Sequence, residues 1–417
     1  MRGLARAHDD LGCGGVLDRR LRADSDRPLA VAVSGGGDSV ALALLADAWA
    51  RAHGRRLLIL TVDHGLGPLS LDWTQACANL AARLGAGFQA LSWTGRKPST
   101  GLPAAAREAR HRLIANAARR AGARVVLMGH TAGDRAEAQA MRGAGSTTPS
   151  PREWAPSPVW PEGRDVFLLR PLLGAGRAEI RTWLTARGET WIDDPANDDQ
   201  RFARARARQA LAAMAPVSPD PVLASARPAG LALAVHADVG TGLLTLPRDA
   251  LRQGEIAAFV GAACLCAAGA SRPPRGDRTA RLAHRLRSEE TFAASLAGAR
   301  IEAGAAEVRF LREPGEMTRR GLAPLEVSPG CATVWDGRFE IIADHVVAIR
   351  PLAGFAARLS SRERQGLAGL PPSARQGLPV VVDGDRVALA AGVAGVSVRA
   401  LAQARLLAAC GAVDREP

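Results

Sequence analysis

The chain has 417 residues, a net charge of +13 and a pI near 11, and almost all of its positive charge comes from arginine. The length favours two or three domains. No apolar run approaches the ~18 residues that span a bilayer, so we expect a cytoplasmic protein, and the excess charge indicates an anionic partner, nucleic acid before an acidic membrane surface.

The N-terminal half alternates short apolar segments with longer helical ones. Strands are predicted at 29–33, 57–63, 124–130 and 166–173, and helices near 39–53, 70–84, 103–121 and 176–187. Continuous apolar strands separated by amphipathic helices are typical of an α/β fold with a parallel, doubly wound sheet. Ligands bind beyond the carboxyl ends of such strands. Three polar segments at those ends should therefore share one site: 34–39, 63–64 and 129–130.

Two proline-rich segments, 146–163 and 214–228, interrupt this pattern, and the second is the predicted domain boundary. A mixed helical region follows it, and the last third has short β-rich runs with Asp-Gly turns. The predicted parts are an N-terminal extension (1–28), a catalytic domain (29–213), a helical domain (229–310) and a small α+β C-terminal domain (311–417).

The segment VAVSGGGDSVALALL (31–45) has the pattern of a strand, a glycine turn and a helix, the usual setting of a phosphate-binding loop. Glycines let backbone N–H groups approach an anion, and serines add hydroxyl donors. The candidate phosphate ligands are Ser34, Gly35, Gly36, Gly37 and Ser39. The loop has no lysine and instead carries Asp38, which is either a helix N-cap or a contact to a metal ion.

The string SGGGDS resembles the SGGxDS loop of the PP-loop ATP pyrophosphatases, whose fold is adenine nucleotide alpha hydrolase-like. Five further motifs resemble, in order and spacing, those of the tRNA(Ile)-lysidine synthetase family. They are VDHGL (62–66), GLPAAAREARHRLI (101–114), GHTAGDRAEA (129–138), LLRPLL (168–173) and DDPANDDQRFARARAR (193–208). SGGxDS alone indicates the superfamily, whereas the ordered set is specific to this family.

This resemblance implies an ATP-dependent ligase that works in two steps. The enzyme adenylates C2 of the wobble cytidine in the CAU anticodon of tRNA(Ile) and releases pyrophosphate. The ε-amine of free L-lysine then attacks C2 and expels AMP, giving lysidine. ATP is a substrate, Mg²⁺ a cofactor, and tRNA(Ile) and lysine are the partners. Both C-terminal domains would bind tRNA. The candidate assembly is a homodimer.

The resemblance also assigns roles to individual residues. The ATP site would add Asp63 and His64 to the loop residues, with Asp38 as the metal contact. The catalytic residues would be Asp38, Arg107, Arg110, Asp134 and Glu137. Lysine would bind His130, Asp134 and Glu137, and tRNA would bind Arg204, Arg206 and Arg208. Gly133 departs from the family pattern, because a carboxylate usually stands there, and His111 replaces a common tyrosine.

Structural roles are the alternatives for these residues. Arg107 and Arg110 could pair with Glu108 on a helix surface, and Asp134 and Glu137 could form a solvated face. The two histidines could be hydrogen-bonded core residues. The motif DDPAND could be an ordinary turn cap at Asp194 and Asn197.

Two other functions compete with this interpretation. A tRNA thiolase needs a CxxC pair or a catalytic thiol, but the catalytic half offers only Cys77. A catalytically silent RNA-binding paralogue would explain the charge but not the ordered motifs. The pair Cys264 and Cys266 is expected to be two small buried side chains rather than metal ligands.

Overall fold

The structure, a computed structural model, describes residues 11–146, 150–193, 203–212, 228–238, 240–252, 254–288 and 290–417. The chain forms two compact units. The first contains Met1–Ala224 and Val413–Pro417, and the second contains Ser225–Ala412. Among the described helices, none is long and apolar enough to cross a membrane.

The first unit is built on a six-stranded sheet. Its strands are β1 (Leu29–Ala32), β2 (Leu57–Asp63), β3 (Gly87–Ser92), β4 (Val125–Met128), β5 (Trp154–Pro156) and β6 (Phe167–Leu169). Its helices are α1 (Cys13–Arg20), α2 (Gly37–Ala52), α3 (Ser70–Leu84), α4 (Leu102–Arg120), α5 (Ala132–Gly143), α6 (Arg177–Thr185) and α7 (Ala203–Ala212). The strand order is β3-β2-β1-β4-β6-β5, and only β5 runs antiparallel to its neighbour.

The strand order positions the ligand site. The chain runs outward from β1 through β2 to β3 and then crosses to β4 on the other side of β1. The carboxyl ends of β1 and β4 therefore flank the topological switch point, where open α/β sheets bind ligands. All of β4 and most of β1 are buried, as continuous apolar strands under helices should be. The predicted doubly wound parallel sheet is confirmed.

Two strands of this sheet were not predicted. β3 is an edge strand, so its residues are only partly buried, and its sequence GFQALS lacks the continuous apolar pattern of the central strands. β5 lies inside the proline-rich segment 146–163 and ends at Pro156. It pairs only with β6 at the other edge of the sheet, the position that tolerates proline in a strand.

Segments from both ends of the chain pack on the first unit. Helix α1 contacts α2 and buries Cys13 and Leu17, so the described part of the predicted N-terminal extension belongs to this unit. Nε1 of Trp49 donates to Asp18 at 2.7 Å. At the other end, Glu416 pairs with Arg55 at 2.7 Å, and each side chain is 1% exposed.

The second unit combines short helices with three antiparallel sheets. Its helices are α8 (Ala229–Leu233), α9 (Ala257–Ala268), α10 (Gly276–Arg287), α11 (Pro314–Arg320), α12 (Ser361–Gly366), α13 (Pro372–Arg375) and α14 (Ala402–Ala409). Its strands are β7 (His236–Ala237), β8 (Leu244–Pro247), β9 (Phe292–Leu296), β10 (Ala299–Ala303), β11 (Glu307–Arg312), β12 (Leu325–Val327), β13 (Thr333–Trp335), β14 (Phe339–Ala343), β15 (Val347–Pro351), β16 (Pro379–Asp383), β17 (Arg386–Leu389) and β18 (Val396–Ala400).

These strands form sheets in the orders β7-β8-β11-β10-β9, β12-β15-β16-β17 and β13-β14-β18. One hydrophobic core surrounds α9 and includes Leu406 of α14, and another lies between the last two sheets. The predicted helical domain therefore contains strands as well as α9 and α10. Strands β9 and β10 are rich in alanine, a good helix former. The tight turn at Ala297 and Gly298, both with positive φ, pairs them instead as a hairpin.

Candidate active site

The phosphate loop runs from the end of β1 into α2. Gly36 is the N-cap of α2, and the amides of Ser39 and Val40 each donate to its carbonyl oxygen at 3.0 Å. Gly35 has φ +86°, and a Cβ there would lie 2.5 Å from Cδ1 of Ile192. These two constraints explain the first glycine of the triplet. The turn presents a helix N-terminus at the carboxyl end of β1, as an anion site requires.

The two loop serines have different environments. Ser39 is buried, and its hydroxyl donates to the carbonyl of Gly36 at 2.8 Å and accepts from the amide of Ser34 at 3.2 Å. Ser34 is exposed. The hydroxyl of Ser39 therefore holds the loop in shape, and Ser34 is the serine that a ligand can reach.

Asp38 lies in the first turn of α2 but does not cap it. The N-cap is Gly36, and α2 has no side-chain capping hydrogen bond. The Asp38 carboxylate instead accepts a hydrogen bond from Nε of Arg177 at 3.2 Å. Burial raises the pKa of Asp38, and the charge of Arg177 opposes that rise. The N-cap role is therefore excluded.

Asp134 and Glu137 lie one turn apart on α5, next to the carboxyl end of β4. They are 6% and 2% exposed, so the alternative of a solvated helix face is wrong. Asp134 accepts hydrogen bonds from the amide and hydroxyl of Thr131 at 2.9 and 3.1 Å. Oε1 of Glu137 accepts a hydrogen bond from Nε of Arg208 at 2.8 Å. These contacts fix both carboxylates in a buried position.

Arg177 joins the three carboxylates, and the sequence analysis did not select it. Its Nε, Nη1 and Nη2 donate to Asp38, Glu137 and Asp134 at 3.2, 3.2 and 3.4 Å. Burial alone would lower the pKa of Arg177, but the three neighbouring carboxylates outweigh burial and raise that pKa. Arg177 is the first residue of α6, where the helix dipole disfavours a cation. That unfavourable placement is the signal in the sequence that could have identified it.

His130 is a neutral hydrogen-bond donor in this site. Nε of Arg170 donates to Nδ1 of His130 at 3.1 Å. Because a guanidinium group only donates, Nδ1 is the acceptor and the ring proton is on Nε2. Burial and the charge of Arg170 lower the pKa of His130 to about 3. Nε2–H of His130 thus suits a ligand oxygen and cannot accept a hydrogen bond from an ammonium group.

Arg170 directly follows β6, at the same edge of the sheet as the other site residues. The strand-end rule that selected His130 would therefore also have found it. Burial lowers the pKa of His111 to about 2 and the pKa of Arg170 to about 10. The positive charges of Arg107 and Arg110 contribute to both decreases. Those two arginines are half-buried on α4 and act on the site electrostatically.

The end of β2 supplies the remaining predicted ATP contacts. Asp63 accepts a hydrogen bond from the amide of Gly65 at 2.7 Å, so its carboxylate shapes the turn. His64 meets the ring of Trp93 edge-on, with centroids 5.9 Å apart, and burial lowers its pKa. Since β2 is parallel to β1 and adjacent to it, these residues share an edge with the phosphate loop.

The arginines predicted to bind tRNA separate into different environments on α7. Arg206 is exposed. Nε of Arg208 donates to Oε1 of Glu137, so this side chain lies with the buried carboxylates, and its assignment to tRNA binding stays a prediction. The side chain of Arg204 lies outside the described residues, as do Asp194 and Asn197.

The cysteines have no catalytic setting in the described residues. Cys77 is buried, and burial raises the pKa of its thiol, which disfavours a thiolate nucleophile. Cys264 and Cys266 are buried in α9, with pKa values raised by burial to about 12 and about 11. No described cluster of three or more histidine, cysteine, aspartate or glutamate side chains could hold a metal ion. The prediction of two small buried cysteines is confirmed.

Comparison with known proteins adds the family. The profile of the PP-loop domain family matches residues 16–215. The tRNA(Ile)-lysidine synthase of Caulobacter vibrioides is 52% identical, and the match covers 89% of this chain and 88% of that protein. The proteins of the same name from Hyphomonas neptunium and Mesorhizobium japonicum are 34% and 36% identical, with matches that cover 76% and 78% of this chain and 88% and 76% of theirs.

Among solved structures, the U34-tRNA thiolase NcsA from Methanococcus maripaludis with its [4Fe-4S] cluster aligns at a TM-score of 0.41 and 14% identity, over 50% of this chain and 72% of that one. The matches to these relatives cover 76–89% of the chain, and a PP-loop, ATP-utilising domain forms its N-terminal half. The chain belongs to the tRNA(Ile)-lysidine synthase family.

Proposed function

We propose that this protein joins free L-lysine to C2 of the wobble cytidine in tRNA(Ile) with a CAU anticodon, with cleavage of ATP to AMP and pyrophosphate. The observation that carries the proposal is one buried cluster at the switch point of the sheet. There the carboxylates of Asp38, Asp134 and Glu137 surround the guanidinium of Arg177, beside the phosphate loop between β1 and α2. This combination suits a site that binds a phosphate chain next to an amine.

ATP binds with its phosphates at the loop between β1 and α2. Backbone amides, the N-terminus of α2 and the hydroxyl of Ser34 hold the β and γ phosphates, and the cytidine O2 attacks the α phosphate. Arg107 and Arg110 on α4 supply positive charge as the RNA and the phosphates approach each other. These residues stabilise the pyrophosphate leaving group, so a P-loop lysine is not required.

Asp38 would hold Mg²⁺ in this site. Its Oδ2 accepts from Arg177, and Oδ1 has no hydrogen-bond donor among the described residues. One carboxylate together with substrate phosphates is a usual Mg²⁺ donor set. When bound, the ion neutralises phosphate charge.

Lysine binds next to α5. Asp134 and Glu137 accept hydrogen bonds from its ammonium group, and one of them takes the proton that the attacking amine must lose. Nε2–H of His130 donates to an oxygen of the substrate. The amine attacks C2 of the adenylated cytidine, and the bond from C2 to the AMP oxygen breaks.

The basic surface binds the RNA. The net charge of +13 and the exposed Arg206 favour contacts to phosphates, and we assign the second unit to tRNA binding as well. Since ATP, lysine and unmodified tRNA occur together in the cytoplasm, we place the protein there.

The test incubates the full chain with ATP, MgCl₂, labelled lysine and an unmodified tRNA(Ile) transcript carrying CAU. We expect ATP-dependent transfer of label to the RNA, with one AMP released per lysine incorporated. A transcript with uridine at the wobble position is the matched control, because it lacks the cytidine. Absence of label from the CAU transcript, in a protein that binds ATP and tRNA, would overturn the proposal.

A further inference from the structure

Arg177 fills the place where the proposed function puts a substrate cation. It contacts two carboxylates on α5, Asp134 and Glu137, and one on the phosphate loop, Asp38. Its three hydrogen bonds measure 3.2 to 3.4 Å. Charge-assisted N–H···O bonds usually measure about 2.7–2.9 Å, so none of the three has optimal length. The single guanidinium of Arg177 thus donates one hydrogen bond to each of three carboxylates and forms a short bond to none of them.

The carboxylates on α5 are fixed, whereas Arg177 can move. The side chains of Glu137 and Asp134 are 2% and 8% exposed, but that of Arg177 is 31% exposed. Asp134 is held by Thr131, and Glu137 by Arg208 at 2.8 Å. Arg177 also stands at the first position of α6, where the helix dipole opposes its charge. Arg177 is therefore a partly exposed cation in an unfavourable position of its helix, and it contacts carboxylates that other groups already hold.

Glu137 has an acceptor that Arg177 does not use. Its Oε2 is fully buried and has no hydrogen-bond partner among the described residues. A buried carboxylate oxygen without a donor is costly and calls for a ligand. A guanidinium is planar, whereas an ammonium carries three donors in a tetrahedral arrangement. An ammonium between Asp134 and Glu137 can reach the oxygen that Arg177 leaves unpaired.

We propose that Arg177 occupies the lysine-ammonium site of the unliganded enzyme, and that lysine binds tightly only after nucleotide has drawn Arg177 away. This inference rests on the proposed function. Asp38 links Arg177 to the phosphate loop, and a bound triphosphate offers the guanidinium a stronger anion nearby. Once Arg177 turns to the phosphates, Asp134 and Glu137 need a new cation. Arg177 thus acts as a positioning residue that makes lysine binding depend on ATP.

The experiment measures binding of labelled L-lysine to the full chain by equilibrium dialysis, without tRNA. It is done with and without MgCl₂ and α,β-methylene-ATP, which cannot be cleaved between the α and β phosphates. We expect wild-type protein to bind lysine at least tenfold more tightly with the analogue. Arg177→Met, which keeps the aliphatic stem, should bind lysine equally well in both conditions and as tightly as the nucleotide-bound wild type.

Arg181→Met is the matched control. Arg181 lies one turn further along α6, is 56% exposed and pairs with Asp193 at 2.7 Å. Its removal takes the same charge from the same helix, so the nucleotide dependence of lysine binding should remain. A merely structural role of Arg177 would lower lysine affinity in both conditions.

Two results would overturn the inference. In the first, wild-type protein binds lysine with the same affinity with and without the ATP analogue. This measurement needs no variant, so it remains informative even if Arg177→Met fails to fold. The other is an Arg177→Met variant that still shows the tenfold dependence. Either result can occur while wild-type enzyme transfers lysine to tRNA, so failure here is distinct from failure of the proposed function.

Discussion

The buried charges of the site are balanced residue by residue. Glu137 is 2% exposed and contacts Arg177 and Arg208, and Asp38 and Asp134 share Arg177. At His130, burial and the charges of nearby arginines, Arg170 first, outweigh the charge of Asp134 and keep the histidine neutral. The site thus has an anionic side suited to an amine and a cationic side suited to phosphates. The two environments are close along the chain: His130 lies between β4 and α5, and Asp134 and Glu137 lie on α5.

Glu137→Gln tests the anionic side. The change removes the charge and nearly preserves the shape, so Arg177 and Arg208 lose an ionised partner. We expect kcat/KM for lysine to fall at least 100-fold and the free energy of unfolding to fall by about 1–3 kcal/mol. Glu108→Gln makes the same chemical change at an exposed position on α4 and should alter neither quantity. Unchanged kcat/KM for lysine in Glu137→Gln would show that Glu137 does not contact the substrate lysine.

The neutral histidines predict loss of stability in acid. Burial lowers the pKa of His111 to about 2 and of His130 to about 3, below the usual 6.5. The unfolded chain therefore binds protons that the folded chain does not, and stability falls as pH decreases below 6.5. At pH 5.5 each histidine costs on the order of 1 kcal/mol.

His111→Phe removes one of these two groups. The thermal unfolding midpoint of wild-type protein should fall between pH 7.5 and 5.5, and that of the variant should fall about half as much through this effect. Equal decreases in the two proteins would show that folding does not lower the pKa of His111.

At the scale of elements, the site depends on close contact between α2 and β4. A Cβ at Gly129, just after β4, would lie 3.0 Å from the carbonyl oxygen of Asp38 and 3.1 Å from Cα of Ser39. Both are backbone atoms in the first turn of α2, so they cannot move without moving the phosphate loop. Gly129 thus sets the distance between the carboxylates on α5 and the anion site.

Gly129→Ala should therefore displace the phosphate loop. We expect ATP affinity, measured by calorimetry, to fall at least tenfold while the circular dichroism spectrum stays unchanged. Gly133→Ala is the control, because its Cβ would meet only Oγ1 of Thr131 at 3.6 Å, an ordinary contact. Unchanged ATP affinity in Gly129→Ala would mean that the helix adjusts without cost.

Helix α7 has one side toward the carboxylates and another toward solvent. Arg206→Ala should weaken tRNA binding and lower the slope of log Kd against log salt by about 1, because one phosphate contact is lost. Arg51→Ala, which removes a 63% exposed arginine paired with Asp47 on α2, should leave the slope unchanged. An unaltered slope in Arg206→Ala would place the RNA elsewhere.

At the scale of the whole molecule, the chain leaves the first unit at Ala224 and returns to it at Val413. The returning segment is anchored by charge. Arg55 donates to both oxygens of Glu416, at 2.7 and 2.9 Å, and both side chains are buried. Nε1 of Trp154 donates to the carbonyl of Val413 at 2.8 Å. The final residues are therefore part of the catalytic unit.

Glu416→Gln should destabilise the first unit by about 3–5 kcal/mol, because it leaves the buried Arg55 without a counter-charge. The thermal unfolding of the full chain measures this change. The double variant Arg55→Met, Glu416→Leu should recover much of the loss, since it buries no charge. The exposed pair of Arg22 and Asp24 serves as a control, and Asp24→Asn should leave the midpoint unchanged. A neutral Glu416→Gln would mean that Arg55 is satisfied by backbone carbonyls alone.

The alternation of apolar strands and amphipathic helices was sufficient to predict the doubly wound sheet, because burial on both faces imposes that pattern. The glycine triplet and the strand ends likewise located the phosphate loop and His130 at one edge, whereas Asp134 and Glu137 were selected only by their resemblance to the family motif. Edge strands β3 and β5 were missed, because an edge strand is only half-buried and its sequence is not constrained in the same way. The alanine-rich hairpin β9–β10 was missed, because its turn and packing override local propensity.

The sequence alone therefore determined the buried strands of the first unit, its helices α2, α3, α4 and α6 and the phosphate loop, since these follow from local spacing. Tertiary structure decided which charges meet. Arg177 and Arg208 face Asp38, Asp134 and Glu137 although they lie 40 or more residues away along the chain. The state of His130 likewise depends on Arg170 from another strand end. Burial and pairing between distant segments set protonation and charge balance, and no local pattern carries that information.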